Sequence, residues 1–221
     1  NDRVVHRAIY RTLEKIFDKT FIYDSYSSRK SKGVHKAINR FKEFVRKLSQ
    51  NNTKRVWVLK CDVRKYFDSI DHKILFQIIS SKIKDTSALW LVKIIIESFS
   101  KEKEKSLPLG NVTSQIFSNI YLNELDQFIK RKLQVKYYIR YADDFVILSR
   151  DKGYLENLIP IIQKFLAERL KLELHPNKLF VKVVSSGVDF LGWVHFPDHR
   201  VLRTVTKKRM FKKVCKKNVD S

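Results

Sequence analysis

Apolar residues recur at three- and four-residue intervals over residues 5–17 (Val5, Ile9, Leu13, Ile16, Phe17) and 34–48 (Val34, Ala37, Phe41, Phe44, Val45, Leu48). That period predicts two amphipathic helices, the first with Arg7, Arg11 and Lys15 around its buried face. A polar, basic loop over residues 23–33 separates them. After a turn over residues 50–54 the period changes: Arg55-Val56-Trp57-Val58-Leu59-Lys60-Cys61-Asp62-Val63 is an apolar strand that runs into an aspartate. Helical patterns follow from Asp71, with Ser69 or Asp71 as the cap, and over residues 86–99, and a mixed-charge connection covers residues 101–105. Pro108 and Gly110 precede a long helix with a Ser/Thr cap and one apolar face of Phe117, Ile120, Tyr121, Leu125, Phe128 and Leu133. Residues 137–148 hold two aromatic and β-branched runs around Ala142-Asp143-Asp144, which predicts a β-hairpin. Leu155, Leu158, Ile162, Phe165, Leu166 and Leu170 give a further helix, interrupted or kinked at Pro160. Residues 181–184 and 188–193, around Ser185-Ser186-Gly187, read as a second hairpin. The fold class is α+β, an antiparallel sheet with helices packed on one face.

A chain of 221 residues, 43% of them hydrophobic, buries a substantial core in one or two subdomains. Its net charge of +23 changes the picture most, because a field of that size suits a polyanion, and nucleic acid is the simplest one. Residues 1–55 carry 15 Lys/Arg against 5 Asp/Glu, and residues 200–221 carry 9 against one. No run of ~18 apolar residues is present, so no membrane span or membrane partner is expected, and no signal peptide opens the chain. Cys61 and Cys215 make no disulfide framework, which fits a reducing compartment. His195 and His199 are the one histidine pair with ligand-like spacing, and without cysteine pairs no zinc site is expected.

The chemistry concentrates at Asp143 and Asp144. Two adjacent carboxylates pinned between apolar strands raise each other's pKa, and a divalent cation relieves the repulsion. Mg²⁺ takes hard carboxylate oxygens and leaves positions for phosphates. Two-metal phosphoryl transfer needs a further carboxylate from another strand, and Asp62, 81 residues before Asp143, supplies it once a tertiary fold brings the two together.

The hairpin Tyr141-Ala142-Asp143-Asp144 reproduces the Tyr-x-Asp-Asp box of reverse transcriptases, and the strand ending at Asp62 with Phe67 five residues on resembles their first catalytic motif. The resemblance covers essentially the whole chain. It implies a right-hand polymerase palm, with partial fingers over residues 1–55, palm over 56–184 (83–106 a helical connection), a primer-grip hairpin over 185–199 and the start of a thumb over 200–221. Asp2-Arg3-Val4-Val5 matches a fingers helix that follows a basic strand pair in the group II intron type, so the chain looks like an excerpt. The implied reaction is RNA-templated DNA synthesis from dNTPs on a DNA or RNA primer. Asp62, Asp143 and Asp144, with the Val63 carbonyl, would hold two Mg²⁺ ions, Mn²⁺ being a possible substitute. Phe67 matches the aromatic under the nucleotide sugar, Lys178 the lysine near the triphosphate. Arg29, Lys30, Lys32 and Tyr141 are expected on nucleic acid. Phe190-Leu191-Gly192-Trp193 is similar to the primer grip. Leu109-Gly110, followed by Ser114-Gln115, departs from the common Gln-Gly-x-x-x-Ser-Pro and resembles the variant in reverse transcriptases of diversity-generating retroelements. That subfamily implies error-prone copying of template adenines, a basic accessory protein and a cytoplasmic location, the gene being bacterial, archaeal or phage-encoded. The alternatives are an intron-type reverse transcriptase and maturase, and a catalytically silent RNA-binding relative.

Overall fold

The computed structural model describes residues 2–99, 104–108 and 110–217. Helix α1 (Asp2–Phe17) and helix α2 (Val34–Leu48) form where the 3.6-residue period predicts them. In α1 the buried face is Ile9, Leu13 and Phe17, while Val5 near its start is exposed. Strand β1 (Trp57–Asp62) follows, then a single turn α3 (Tyr66–Ser69) and helices α4 (His72–Ser80) and α5 (Thr86–Glu97). Asp71 caps α4 by accepting from the amides of Lys73 and Ile74. Ser69 is not a cap, since its hydroxyl donates back to the Lys65 carbonyl.

Helix α6 (Val112–Gln127) continues into a π-helical turn, Phe128–Lys132. Its cap is Asn111, whose side chain accepts from the Thr113 amide; Thr113 and Ser114 lie buried inside the helix. A single apolar face was expected, yet α6 is buried on nearly every side, polar Ser118, Asn119, Asn123 and Asp126 included. Strands β2 (Tyr138–Tyr141) and β3 (Asp144–Ser149) make the predicted hairpin. Helix α7 (Lys152–Leu170) runs unbroken through Pro160. Pro160 and Glu156 are both exposed, so the carbonyl that loses its N–H partner can turn to water.

Strand β4 (Phe180–Val183) completes an antiparallel sheet of order β2-β3-β1-β4. Side chains alternate across it. Leu59, Cys61, Phe145 and Ile147 join a core with α1, α4, α6 and α7, and Val58, Val146 and Leu148 face α2 through Ala37, Phe41, Phe44 and Val45. Helices therefore cover both faces, not one. The near-continuous apolar runs of β1 and β3 are the sequence trace of that double burial.

Residues 181–193 do not form one hairpin. β4 bonds to β1, while β5 (Val188–Phe190) pairs with β6 (Trp193–His195) and β6 with β7 (Arg200–Leu202) in a separate three-stranded sheet. Gly187, at φ +82°, separates the two sheets; a Cβ there would meet Val194 Cγ1 at 2.9 Å and Phe196 Cζ at 3.0 Å. Helix α8 (Thr204–Lys217) ends the described chain. Among the described residues no helix is long and apolar enough to cross a membrane.

Candidate active site

The register of the central strands builds the site. Asp62 at the end of β1 lies directly opposite Asp144 at the start of β3, so both side chains leave the same face of the sheet. The Val63 amide donates to the Asp143 carbonyl at 3.3 Å, fastening the hairpin tip beside the end of β1. Two acidic stretches far apart in sequence thus share one sheet end.

The tip is a two-residue connection, Ala142-Asp143, with Ala142 at φ +53°, a left-handed conformation uncommon for a residue with a side chain. Arg140 holds it there. One guanidinium nitrogen, Nη1, donates to the Ala142 carbonyl at 3.0 Å and to Asn119 Oδ1 at 3.3 Å. Nε and Nη2 grip both oxygens of Asp126 at 2.8 and 2.7 Å, and the Tyr138 hydroxyl donates to Asp126 Oδ1 at 2.7 Å. Arg140 and Asp126 are both fully buried. A bidentate pair of this kind gains geometric definition along with energy. The Tyr66 hydroxyl donates to the Ser118 carbonyl at 2.7 Å, so α6 carries both the strand-end and the hairpin halves of the site.

Burial raises the carboxyl of Asp143, and the neighbouring Asp62 adds to the effect. Asp144 is pushed up to about 7, chiefly by burial, against the opposing pull of Lys60. Lys60 Nζ lies 3.3 Å from Asp144 Oδ2, while Asp144 Oδ1 is buried with no hydrogen-bond partner. Lys178 Nζ bridges both oxygens of Asp62 at 3.0 Å. It was expected beside a triphosphate and here rests on a carboxylate.

Lys60, Arg140, Asp126 and Asn119 were missed in the sequence. A signal existed for two of them. Lys60 sits two positions before Asp62, hence on its face of the strand, and Arg140 is a charge inside an otherwise apolar strand.

Of the expected nucleotide contacts, Phe67 is half-buried in α3, edge-to-face with Tyr66 at 5.3 Å, its carbonyl accepting from the Leu107 amide at 2.7 Å. Leu109 lies outside the described residues. Gly110 is exposed at φ +88°, and Gln115 is exposed in the first turns of α6.

Arg29 is not presented to a ligand. Its guanidinium pairs with Asp18 at 2.6 Å and donates to the carbonyls of Ile22 and Ser25, clamping its own loop. Lys32 is engaged as well, donating to the Tyr23 carbonyl at 2.7 Å and lying 3.6 Å above its ring. Lys30 is exposed, and Tyr141 is half-buried at the end of β2. Phe190 is buried against Phe41, Leu191 and Gly192 form the β5–β6 turn with positive φ, and Trp193 is half-buried beneath the Arg200 guanidinium.

Residues 1–195 match the family described as reverse transcriptase (RNA-dependent DNA polymerase). The chain belongs to that family. It is 28% identical to protein YkfC of Escherichia coli over 91% of this chain and 61% of that one. It is 25% identical to the group II intron-encoded protein LtrA of Lactococcus lactis, over 94% of this chain and 44% of LtrA. The chain therefore spans about half the length of the curated relatives it matches. A solved apo telomerase from Candida Tropicalis, truncated from its C-terminal domain, shares the fold with a TM-score of 0.68 at 14% identity, over 90% of this chain and 45% of that one.

Membership in the reverse transcriptase family implies divalent metal ions. The residues present fit such ions. Asp144 Oδ1 is an orphaned, buried hard oxygen, and lysine ammonium groups already sit as cations on Asp62 and Asp144. No three acidic, histidine or cysteine side chains among the described residues converge into a coordination shell.

Proposed function

We propose that this chain is the catalytic portion of an RNA-directed DNA polymerase that extends a DNA or RNA primer with dNTPs on an RNA template. The observation that carries the reading is the pairing of Asp62 with Asp144, beside the Asp143 tip, with one carboxylate oxygen buried and unsatisfied. Residues 1–55 act as partial fingers, 56–184 as palm, 185–199 as primer grip and 200–221 as the start of a thumb. Asp62, Asp143 and Asp144, with the Val63 carbonyl, would hold Mg²⁺ or Mn²⁺, which supplies charge neutralisation at the transferred phosphate and activation of the primer hydroxyl.

The chain's own groups do the positioning. The Arg140–Asp126 pair keeps the Asp143 tip in its left-handed turn, so the carboxylates are preorganised before substrate arrives. Lys60 and Lys178 offset the negative charge of the cluster. Lys178, half-exposed where its ammonium rests on Asp62, would release that carboxylate and meet the leaving pyrophosphate. The half-buried Phe67 ring acts as the floor beneath the nucleotide sugar. A cytoplasmic protein of bacterial, archaeal or phage origin fits this reading, since dNTPs and RNA templates are intracellular.

The test is primer extension on an RNA template with Mg²⁺, using a chain extended to the length of its relatives. Extension with dNTPs and not rNTPs is expected, and Phe67→Ala should admit rNTPs by an order of magnitude or more. No extension at all would sink the polymerase reading; a Phe67→Ala protein that merely loses stability would make Phe67 a packing residue.

A finer reading rests on the resemblance at Leu109 and Gln115, by which the enzyme would be one of the error-prone reverse transcriptases of diversity-generating retroelements rather than of the intron type. A basic accessory protein is then a further partner. A leucine fills the volume of a glutamine but donates no hydrogen bond to the incoming base pair, so mismatched geometry is penalised less. Sequenced cDNA from a template of balanced composition should show errors concentrated opposite adenine, reduced by Leu109→Gln. A uniform, low error rate unchanged by that substitution would point to the group II intron type, in keeping with the similarity to LtrA.

A further inference from the structure

Two lysines touch the acidic cluster, and the fold holds them differently. Lys178 ends a short turn, Pro176–Lys178, and its side chain is 53% exposed although Nζ lies 3.0 Å from both oxygens of Asp62. Lys60 Nζ lies 3.3 Å from Asp144 Oδ2, and its side chain is only 12% exposed. Lys60 belongs to β1, a strand with neighbours on both sides, and its direct cross-strand partners are Val146 of β3 and Phe180 of β4. Side chains directly opposite one another share a face of the sheet, so those two flank the stem of Lys60. Drawing its ammonium away from Asp144 would leave a charge unpaired among them, which is costly. Lys178 meets no such barrier, because water is beside it.

The two oxygens of Asp144 are therefore unequal. Oδ2 is committed to Lys60, while Oδ1 is buried with no partner. Asp62 differs, since both of its oxygens come free together once Lys178 withdraws. That inequality bears on the choice of cation. Mg²⁺ demands a near-ideal octahedron at about 2.0–2.1 Å, which a carboxylate joins through one oxygen. Ca²⁺ takes roughly six to eight oxygens at about 2.3–2.6 Å and readily accepts both oxygens of one carboxylate.

We infer that Lys60 is a specificity-determining residue for the metal ion: by holding Oδ2 it limits Asp144 to one oxygen, and so favours Mg²⁺ over Ca²⁺. That role rests on the polymerase reading above, in which Asp144 is a metal ligand. Charge alone does not produce it. A nearby ammonium repels two divalent ions to nearly the same degree, whereas a limit on the number of oxygens tells them apart.

The experiment takes the chain extended to the length of its relatives and stripped of metal. Competition of Mg²⁺ and of Ca²⁺ against protein-bound Mn²⁺ is read by electron paramagnetic resonance, without nucleotide or nucleic acid, and primer extension is followed in parallel. Wild type should prefer Mg²⁺. Lys60→Met keeps the stem and removes the ammonium, so Ca²⁺ should tighten about tenfold and Mg²⁺ no more than about threefold. Adding Asp144→Asn to Lys60→Met should abolish the gain for Ca²⁺. Lys178→Met should tighten both ions alike and leave the preference unchanged. Lys60→Arg should act in the opposite direction: its fork pairs with both oxygens of Asp144 and should weaken both ions about tenfold. Circular dichroism checks the fold of each variant. Equal tightening of the two ions in Lys60→Met, or no change in either, overturns the inference, as does a wild type that takes Ca²⁺ as tightly as Mg²⁺. If Lys60→Met does not fold, unaltered Mg²⁺ affinity in Lys60→Arg overturns it. A wild type whose metal preference is lost in Lys60→Met, but which never extends a primer, would keep this role for Lys60 and sink the polymerase reading instead.

Discussion

Asp143→Asn is expected to lower primer extension by about three orders of magnitude, equivalent to roughly 4 kcal/mol of transition-state stabilisation. Affinity for RNA should change less than about twofold. The substitution keeps the volume of the side chain and removes one of the charges that would hold the metal ions, while every phosphate-binding cation stays. Asp62→Asn and Asp144→Asn should behave alike in activity. Near-normal extension by Asp62→Asn would refute the two-metal assignment.

Asp144 adds a second signature, in stability. Its carboxyl is pushed up to about 7 in the fold, from the ordinary value near 3.8, mainly by burial. Between those two values the folded protein holds a proton that the unfolded chain has released, so stability falls as pH rises. In metal-free buffer the wild-type Tm should therefore decline from about pH 4 to about pH 7, and Asp144→Asn should lack that part of the decline. At pH 7.5 the asparagine variant should melt no lower than wild type although it is inactive. Gain of stability with loss of activity is the mark of a strained functional group. A variant both inactive and much less stable would assign Asp144 to the core instead.

Asp126→Ala should be the most damaging single substitution to the fold. It strands the buried Arg140 guanidinium without its partner, and breaking a buried pair in this way costs about 3–5 kcal/mol. For a chain of this size that corresponds to a fall of roughly 10 °C in Tm. The charge-free replacement Asp126→Leu/Arg140→Met, with Tyr138→Phe to retire the hydroxyl that bonds Asp126, should recover most of the stability. It should not recover activity, because the Ala142 carbonyl loses its donor and the left-handed tip is no longer held. Thermal melts and extension rates on the same preparations separate the two roles. Recovery of both together would show that Arg140 contributes packing alone.

The strand and hairpin that carry the candidate acidic site were legible in the sequence because strand chemistry is local. An apolar run closing on Asp62, and two aromatic runs around Asp143-Asp144, name their own elements, and the basic excess announces a polyanionic partner. The helices were legible for the same reason, down to the burial of Ile9, Leu13 and Phe17. Two failures share another cause. Arg29 looks like a phosphate contact in a loop rich in Ser and Lys, and its real partners, Asp18 and the Ile22 and Ser25 carbonyls, appear only when the loop folds back on itself. β4 and β5 look like one hairpin because a Ser-Ser-Gly turn separates two apolar runs; hydrogen bonding to β1 takes β4 into the other sheet.

By itself, then, the sequence determined most of the helices, the β1 strand and the Asp143-Asp144 hairpin, and which acidic side chains are candidates for the chemistry, since periodicity and side-chain type are properties of neighbours in the chain. Which carboxylate faces which was decided by the register of β1 against β3. The counter-ions of the cluster and the support beneath the Asp143 tip were decided the same way. Hydrogen-bond register and burial depend on residues scores of positions apart, and no local pattern encodes them.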